Sequence, residues 1–166
     1  LFEDKTKFEA IDGIHEAEII NGIVKLKMID VDSVSKDEDS FVLNTVSRHF
    51  VKYVDDLKHF KVFEEGSKIR NSEAYLQEGI NVNFVQVLAE DSIYVRTYER
   101  GVENETYSCG TGVTAAALSY LNDHKNIKVK TIGGNLNVHA EKTNGGFTNI
   151  WLEGPAKQVF KGKINS

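Results

Sequence analysis

Short runs of alternating apolar and polar residues, separated by turn-forming residues, constrain the fold of this chain more than any other feature. Strict alternation is typical of β-strands that bury one face. In "HEAEIINGIVKLKM" the alternation continues on both sides of Asn21-Gly22. Because Asn-Gly tolerates the positive φ angles of a type I′ turn, this segment is predicted to be a β-hairpin.

Further alternating runs follow, and tight turns join most of them. The acidic stretch from Asp30 to Ser40 has no periodicity and is predicted to be a loop or a boundary between two structural units. Since the strands are short and the helices few, we expect an α+β fold with a mostly antiparallel sheet. The predicted strands are "FVLNT", "HFVKYVDDL", "INVNFVQVL", "SIYVRTYE", "IKVKTI", "LNVHAE", "FTNIWL" and "QVFKGKI".

Two segments favour helices. "EEGSKIRNSEAYLQEG" is predicted to be a short helical region that ends at Gly79. The second helix is predicted from roughly Thr111 to Asp123 and is rich in alanine. Because small side chains let other elements pack closely around a helix axis, we expect this helix to be buried.

Composition excludes several functional classes. The chain has 166 residues and a formal net charge of −5, which argues against a nucleic-acid or anionic-membrane partner held by bulk charge. No apolar run reaches the length of a membrane span, and "LFEDKTKFEA" lacks the features of a signal peptide. The single cysteine, Cys109, excludes an internal disulfide and fits a reducing compartment, so we expect a cytoplasmic location.

Cys109 lies in a "CGTG" loop directly before the alanine-rich helix. The first N–H groups of a helix carry partial positive charge, so a thiolate at this position is stabilised and its pKa lowered. The same groups can bind a carboxylate or phosphate. The alternative is that Cys109 is a small buried apolar residue, as most free cysteines are. Gly110 and Gly112 favour a functional loop, because they let a ligand approach the backbone.

Other polar residues have a structural and a functional interpretation. Glu99 and Arg100 are either a surface ion pair or a substrate-binding pair at the end of a strand. His49 is either a strand-edge histidine satisfied by the backbone or a polar group that faces a ligand. Asn81 and Asn83 alternate in a predicted strand, where asparagine is unfavourable, and one of them can offer an amide to a ligand. The histidines show no metal-ligand spacing, so no metal is expected.

The segments "NVNFVQV", "RTYERG" and "ETYSCGTGVTAAA", in this order, resemble diaminopimelate epimerase. "HFVKYVDD" upstream and "LEGPAKQVFKGKI" at the end fit the same family, so the match covers the chain from about residue 8 onward. The resemblance implies two similar domains, each a sheet around one central helix, with the active site between them. It implies a cofactor-independent interconversion of LL- and meso-diaminopimelate for lysine and peptidoglycan synthesis. A homodimer is compatible with it.

The resemblance also implies domain boundaries and residue roles. Residues 1–30 are expected to be the closing hairpin of an amino-terminal domain, residues 31–155 a complete carboxyl-terminal domain, and residues 156–166 a terminal strand that returns to the first domain. Cys109, Glu99 and His49 are the expected catalytic residues. The expected substrate-binding residues are Ser47, Asn81, Glu99, Arg100, Gly110 and Thr111.

Two departures from the family pattern stand out. The family has Gly-Asn-Pro-His or Gly-Ser-Pro-His where this chain has Val46-Ser47-Arg48-His49, which questions the backbone turn and the Ser47 contact. The family also has a second catalytic cysteine, in an equivalent amino-terminal loop, and this chain has only Cys109. We therefore expect the 166 residues alone to be inactive or nearly so.

Three alternatives stay open. Proline racemases, hydroxyproline epimerases and phenazine-biosynthesis-type isomerases share the implied fold. A non-catalytic module that binds an amino acid or supports a dimer has no need of a reactive thiol. The third alternative is a cysteine hydrolase with Cys109 as nucleophile and His49 as base, which an acyl-enzyme trapped on Cys109 would support.

Overall fold

The computed structural model describes residues 4–10, 13–37, 39–122, 124–157 and 159–163, and most of them lie in one large sheet. Two α-helices accompany the strands in these described ranges. In chain order the elements are β1 (Lys5–Ala10), β2 (Gly13–Ile20), β3 (Ile23–Lys27), β4 (Val34–Asp37), β5 (Ser40–Asn44), β6 (Arg48–Tyr53), α1 (Val62–Arg70), β7 (Asn81–Ala89), β8 (Ser92–Glu99), β9 (Asn104–Thr106), α2 (Gly110–Tyr120), β10 (Asn126–Thr131), β11 (Gly134–Lys142) and β12 (Phe147–Pro155).

The sheet is mostly antiparallel, as the sequence predicts. Its strand order is β1-β2-β3-β12-β11-β10-β8-β7-β6-β5-β4, with β9 paired to β8 outside this path. Two pairs, β6 with β7 and β8 with β10, are parallel. A helix-containing segment connects the strands of each parallel pair, which is the connection that parallel strands require.

The predicted hairpin at Asn21-Gly22 is confirmed. Asn21 has a φ of 51° and Gly22 a φ of 79°, and Ile20 pairs with Ile23 across the turn. The second strand of this hairpin, β3, also pairs antiparallel with β12. The hairpin is therefore joined to the main sheet by its second strand.

Three boundaries differ from the prediction. The acidic stretch contains β4, a short strand that pairs with β5 at the edge of the sheet and is too brief to show periodicity. Helix α1 ends at Arg70, and turns rather than helix continue toward Gly79, whose φ is 73°. Helix α2 ends at Tyr120, since Leu121 is already extended with a ψ of 103°; Asp123 lies outside the described residues.

The carboxyl-terminal segment also differs. The sequence predicts a strand over "QVFKGKI", yet residues 159–163 lie in no strand of the structure. Val159 and Phe160 are each 83% exposed, so no neighbouring element covers their side chains here. In the described part of the chain, neither helix is both long and apolar enough to cross a membrane.

The main core surrounds α2. The alanines and leucine of this helix are buried against apolar side chains of β5 to β8 and β10 to β12. Because Ala115, Ala116 and Ala117 are small, the strands approach the helix axis closely, as expected from the sequence. A second cluster lies beside α1 and includes Leu57, Ile80 and Phe84. The main cluster packs α2 against β6, β7 and β8, and the second cluster packs α1 against β7 and β8.

Candidate active site

Cys109 is the N-cap residue of α2, directly before the first helical residue, Gly110. It has extended backbone angles, φ −121° and ψ 112°, and its carbonyl accepts the first helical hydrogen bond from the N–H of Val113 at 2.8 Å. Its side chain does not cap the helix. The thiol is therefore half-buried at the helix N-terminus and free to interact with other groups.

The Cys109 thiol has its pKa raised, not lowered as the sequence predicts. Burial is the main cause, and the negative charge of Glu99 adds to it. The Thr111 hydroxyl, 3.4 Å from the Sγ, and the N–H groups of Thr111 and Gly112 favour the thiolate and oppose this shift. The prediction was wrong because it counted the helix N-terminus and left out desolvation by the surrounding core.

His49, on β6, is completely buried beneath the same helix N-terminus. Its Nε2 lies 3.0 Å from both Ser47 Oγ and Thr111 Oγ1, and its Nδ1 lies 3.1 Å from Asn83 Nδ2. Burial first, and the charge of Arg100 second, lower the pKa of His49 from 6.5 to about 4. The imidazole is therefore neutral at physiological pH.

The Thr111 hydroxyl lies between His49 and Cys109 and is within hydrogen-bonding distance of both. The direct thiol–imidazole pair that a cysteine hydrolase needs is not among the hydrogen bonds of the described residues. A neutral histidine behind a threonine is instead suited to orient hydroxyl groups. This arrangement does not support the hydrolase alternative.

Val46, which stands where the family pattern has glycine, still forms a turn. Val46 has a φ of 87°, a conformation that glycine adopts readily and a β-branched residue rarely does. The N–H of Thr45 donates to the carbonyl of Ser47 at 3.1 Å across this turn. The turn directs Ser47 Oγ toward His49 and toward Asn81 Nδ2, which is 3.2 Å away. The structure therefore keeps Ser47 in the site, and the positive φ explains why the family pattern has glycine at this position.

Asn81 connects the turn to the end of β8. Its Oδ1 accepts a hydrogen bond from the N–H of Arg100 at 2.9 Å, while its Nδ2 donates to Ser47 Oγ and to the carbonyl of Arg48. The side chains of Glu99 and Arg100 have separate partners. Glu99 accepts from the Thr106 hydroxyl at 2.9 Å, and Arg100 donates to the carbonyl of Glu78 at 2.7 Å.

Hydrogen bonds thus connect most of the predicted site residues in one continuous network. It runs from Cys109 through Thr111, His49, Ser47 and Asn81 to the backbone of Arg100. Gly110 is the first residue of α2, and Glu99 is adjacent to Arg100 in sequence. The charges of Glu99 and Arg100 act on Cys109 and His49 respectively, although the Arg100 guanidinium itself is bonded to the carbonyl of Glu78. Within the described ranges, no group of histidine, cysteine and carboxylate side chains is arranged to hold a metal ion.

Sequence reasoning missed two supporting residues, Thr97 and Thr106, and singled out Asn83 without its contact with His49. Asn83 is a buried partner of His49, Thr97 is a buried partner of Asn83, and Thr106 holds the Glu99 carboxylate. The alternation of Asn81 with Asn83 signals that both amides face the same side. The threonines carried no signal, because threonine is an ordinary residue in a strand.

Comparison with other proteins identifies the family. A sequence model described as diaminopimelate epimerase matches residues 41–159. The diaminopimelate epimerase of Flavobacterium psychrophilum is 45% identical to this chain over 99% of its residues, and that of Aquifex aeolicus is 36% identical over 98%. The chain spans 66% and 62% of the length of these two relatives.

Solved structures resemble the fold at much lower identity. A hydroxyproline epimerase from Agrobacterium vitis superposes with a TM-score of 0.64 at 14% identity, covering 93% of this chain and 58% of its own. A probable proline racemase from Agrobacterium radiobacter gives 0.63 at 15% identity, with 93% and 59% covered. These likenesses concern the fold alone. The family model and the close sequence matches lead to one assignment: the chain belongs to the diaminopimelate epimerase family.

Proposed function

We propose that these residues form half of the active site of a diaminopimelate epimerase, which interconverts LL- and meso-2,6-diaminopimelate without a cofactor. The observation that carries the proposal is the location of Cys109 at the N-terminus of α2, connected by hydrogen bonds to the polar residues that the family resemblance selects. The family's curated relatives bear this name.

The reaction starts with removal of the proton from the α-carbon, which is very weakly acidic. A carbanion develops there, and its charge spreads into the adjacent carboxylate. The N–H groups of Gly110 and Thr111 at the start of α2 are suited to bind that carboxylate, because they carry partial positive charge where negative charge grows. The Cys109 thiolate takes the proton, and Thr111 supports the thiolate with its hydroxyl.

The other polar groups are proposed to bind the substrate or set its orientation. Glu99 and Arg100 offer a carboxylate and a guanidinium to the amino and carboxyl groups of the substrate. Asn81 and Ser47 offer an amide and a hydroxyl. His49, neutral and buried, orients the hydroxyls and does not itself exchange protons with the substrate.

Inversion requires a second acid on the opposite face of the α-carbon. A single group that returns the proton to its original face produces no change, so a thiolate and a thiol must flank the carbon and exchange roles with reaction direction. The chain contains one cysteine, and its relatives are longer than the part it covers. We therefore propose that a segment outside these 166 residues supplies the second thiol, and that the 166 residues alone turn over little substrate.

The domain arrangement is part of this proposal. Residues 1–30 are the closing hairpin of an amino-terminal domain, residues 31–155 form one complete domain with its sheet wrapped around α2, and residues 156–166 return to the first domain. The exposure of Val159 and Phe160 supports such a return, because an apolar pair at the surface is covered when the segment joins another element. A reducing cytoplasm suits an enzyme that works through free thiols.

The test uses the complete protein that contains these residues. It is incubated in deuterated water with LL-diaminopimelate, meso-diaminopimelate and proline in separate reactions, and both epimerisation and α-deuterium incorporation are measured. We expect turnover of the diaminopimelates and a loss of about 10²-fold or more in Cys109→Ser, since an acid–base group contributes about this much. Ser108→Ala, a neighbouring loop change, serves as the matched control.

Each outcome of this test is informative. Turnover of proline instead of diaminopimelate favours a proline racemase-like enzyme. Full activity in Cys109→Ser contradicts the proposal, as does robust epimerisation by the 166 residues alone. Absence of both turnover and exchange with all three substrates favours the non-catalytic module.

A further inference from the structure

Asn83 lies in β7 directly beneath the N-terminus of α2 and is completely buried. Its Nδ2 is 3.1 Å from His49 Nδ1 and 3.1 Å from the carbonyl of Phe50, and its Oδ1 is 2.9 Å from the hydroxyl of Thr97. It also touches the helix, because a Cβ on Gly112 would overlap its Oδ1. Asn83 is therefore held by β6, β8 and α2 at once.

These contacts determine which atoms of His49 carry protons. A backbone carbonyl only accepts hydrogen bonds, so the group that faces the carbonyl of Phe50 is the NH₂ of Asn83. The same NH₂ donates to His49 Nδ1, which must then be unprotonated. Since the ring is neutral, its single proton is on Nε2.

The position of that proton sets the direction of the next hydrogen bonds. His49 Nε2–H points at the oxygens of Ser47 and Thr111, both 3.0 Å away, and both oxygens accept from it. The Thr111 hydroxyl proton is then directed away from His49. Its remaining neighbour in the network is Cys109 Sγ at 3.4 Å, to which it donates.

We infer that Asn83 is a positioning residue: by holding His49 in the Nε2–H form, it forces the Thr111 hydroxyl to donate toward the Cys109 thiolate. Asn83 does not touch the reacting groups and acts only through His49 and Thr111. This role rests on the proposed function, because it treats Cys109 as the group that transfers the proton. With the opposite ring form, Nε2 would accept from Ser47 or Thr111, and Cys109 would lose its donor in the second case.

Charged neighbours act on the same groups and must be kept constant in any test. Glu99, at the end of β8, disfavours the Cys109 thiolate, and Arg100, the next residue, disfavours protonated His49. From β7 and from the helix itself, the facing groups are Asn83 and Thr111, which do not titrate. The test variants described below leave Glu99 and Arg100 unchanged.

The first experiment measures the ring form directly. The side-chain nitrogens of histidine are observed by NMR near pH 7 in the complete protein labelled with ¹⁵N-histidine, and His49 is assigned by the signal lost in His49→Gln. We expect a protonated Nε2 and an unprotonated Nδ1. An Nδ1–H ring or an imidazolium in the unmodified protein would overturn the inference, and neither Asn83 nor Thr111 has to be replaced for this result.

The second experiment measures the thiol. Mass spectrometry of the peptide that contains Cys109 gives the alkylation rate of this thiol in the complete protein, and the pH dependence of that rate gives its titration midpoint. Thr111→Val removes the donor and should raise the midpoint by about one to two pH units, the usual strength of a hydrogen bond to a charged group. Thr111→Ser, which keeps the hydroxyl, should restore a midpoint near that of the unmodified protein.

Asn83→Leu tests the positioning step itself. We expect it to populate the Nδ1–H form of His49 and to raise the Cys109 midpoint, whereas Asn137→Leu, a matched change on β11, should do neither. An unchanged midpoint in Thr111→Val or in a folded Asn83→Leu contradicts the inference. Neither readout involves diaminopimelate, so failure of the proposed function and failure of this inference are separately visible.

Discussion

The strained turn at Val46 allows a sharp test of how the site is built. Val46 combines a φ of 87° with a β-branched side chain that is 39% exposed. Replacing it with glycine removes the strain and the side chain together, whereas replacing it with alanine removes most of the side chain and keeps the strain. The informative quantity is therefore the stability difference between Val46→Gly and Val46→Ala.

The magnitude follows from two opposing terms. An L-residue with left-handed backbone angles costs roughly 1–2 kcal/mol, and glycine avoids this cost. Glycine loses more conformational freedom on folding, which costs about 0.5–1 kcal/mol relative to alanine. We expect Val46→Gly to be more stable than Val46→Ala by about 0.5–1 kcal/mol, the reverse of the usual order.

Val102 provides the matched control. It is an exposed valine in a turn, and its φ is not positive. There we expect the usual order, with Val102→Ala more stable than Val102→Gly by about 0.5–1 kcal/mol. Urea unfolding of the four variants measures both differences. If Val46→Gly is less stable than Val46→Ala by the same margin as at Val102, the strain argument is refuted.

Three further predictions concern the site and its support. Unfolding free energy should fall by about 3 kcal/mol from pH 6.5 to pH 4, because His49 has a lowered pKa in the folded state and takes up a proton on unfolding; urea unfolding across this range measures it. Gly112→Ala should destabilise the protein by about 1–2 kcal/mol in the same assay, since the new methyl group displaces the buried amide of Asn83. Leu118→Ala, in the core of α2, should cost about 2–5 kcal/mol by thermal or urea unfolding.

Each of these predictions has a control. The acid dependence should become smaller in His49→Gln, where the lowered pKa values of Asp91 and Glu103 still contribute, and persist in His59→Gln, because His59 is exposed and paired with Asp56 at the surface. Gly110→Ala should cost less than Gly112→Ala, since its methyl group meets only Leu152 Cδ2 at 3.2 Å. An exposed leucine, Leu76, should tolerate alanine with little loss. Equal effects in variant and control would contradict the corresponding explanation.

The sequence predicts most of the strands because alternation and turn residues are local signals. Asn21-Gly22 has its two positive φ angles as expected, and the alanine-rich helix is buried as its composition indicates. The edge strand β4 escapes prediction, since four residues are too few to reveal a period. Residues 159–163, the described part of the strand predicted over 158–164, lie in no strand, because strand pairing depends on a neighbour that the segment's own residues do not specify.

The site, like the fold, is predicted only in part from the sequence. The positions of Cys109 and Gly110 before a helix are visible in the sequence, and so is the pair Glu99-Arg100 at the end of a strand. The direction of the Cys109 pKa shift is not visible in the sequence, because it depends on how deeply the surrounding core buries the thiol. The roles of Asn83 and Thr97 also depend on partners that are distant in sequence. Asn83 bonds to His49, 34 residues away, and Thr97 bonds to Asn83, 14 residues away.

The pairing of β3 with β12 has a consequence for how the chain assembles. Lys27, near the amino end, pairs with Trp151, near the carboxyl end, so this contact closes a very long loop. Contacts of such long range form late, because the entropy of loop closure must be overcome before they contribute. By contrast, the hydrogen-bond network of the site lies within the continuous stretch of chain from Ser47 to Thr111. During synthesis these residues can therefore be in place first, while β3 pairs with β12 only after β12 has emerged.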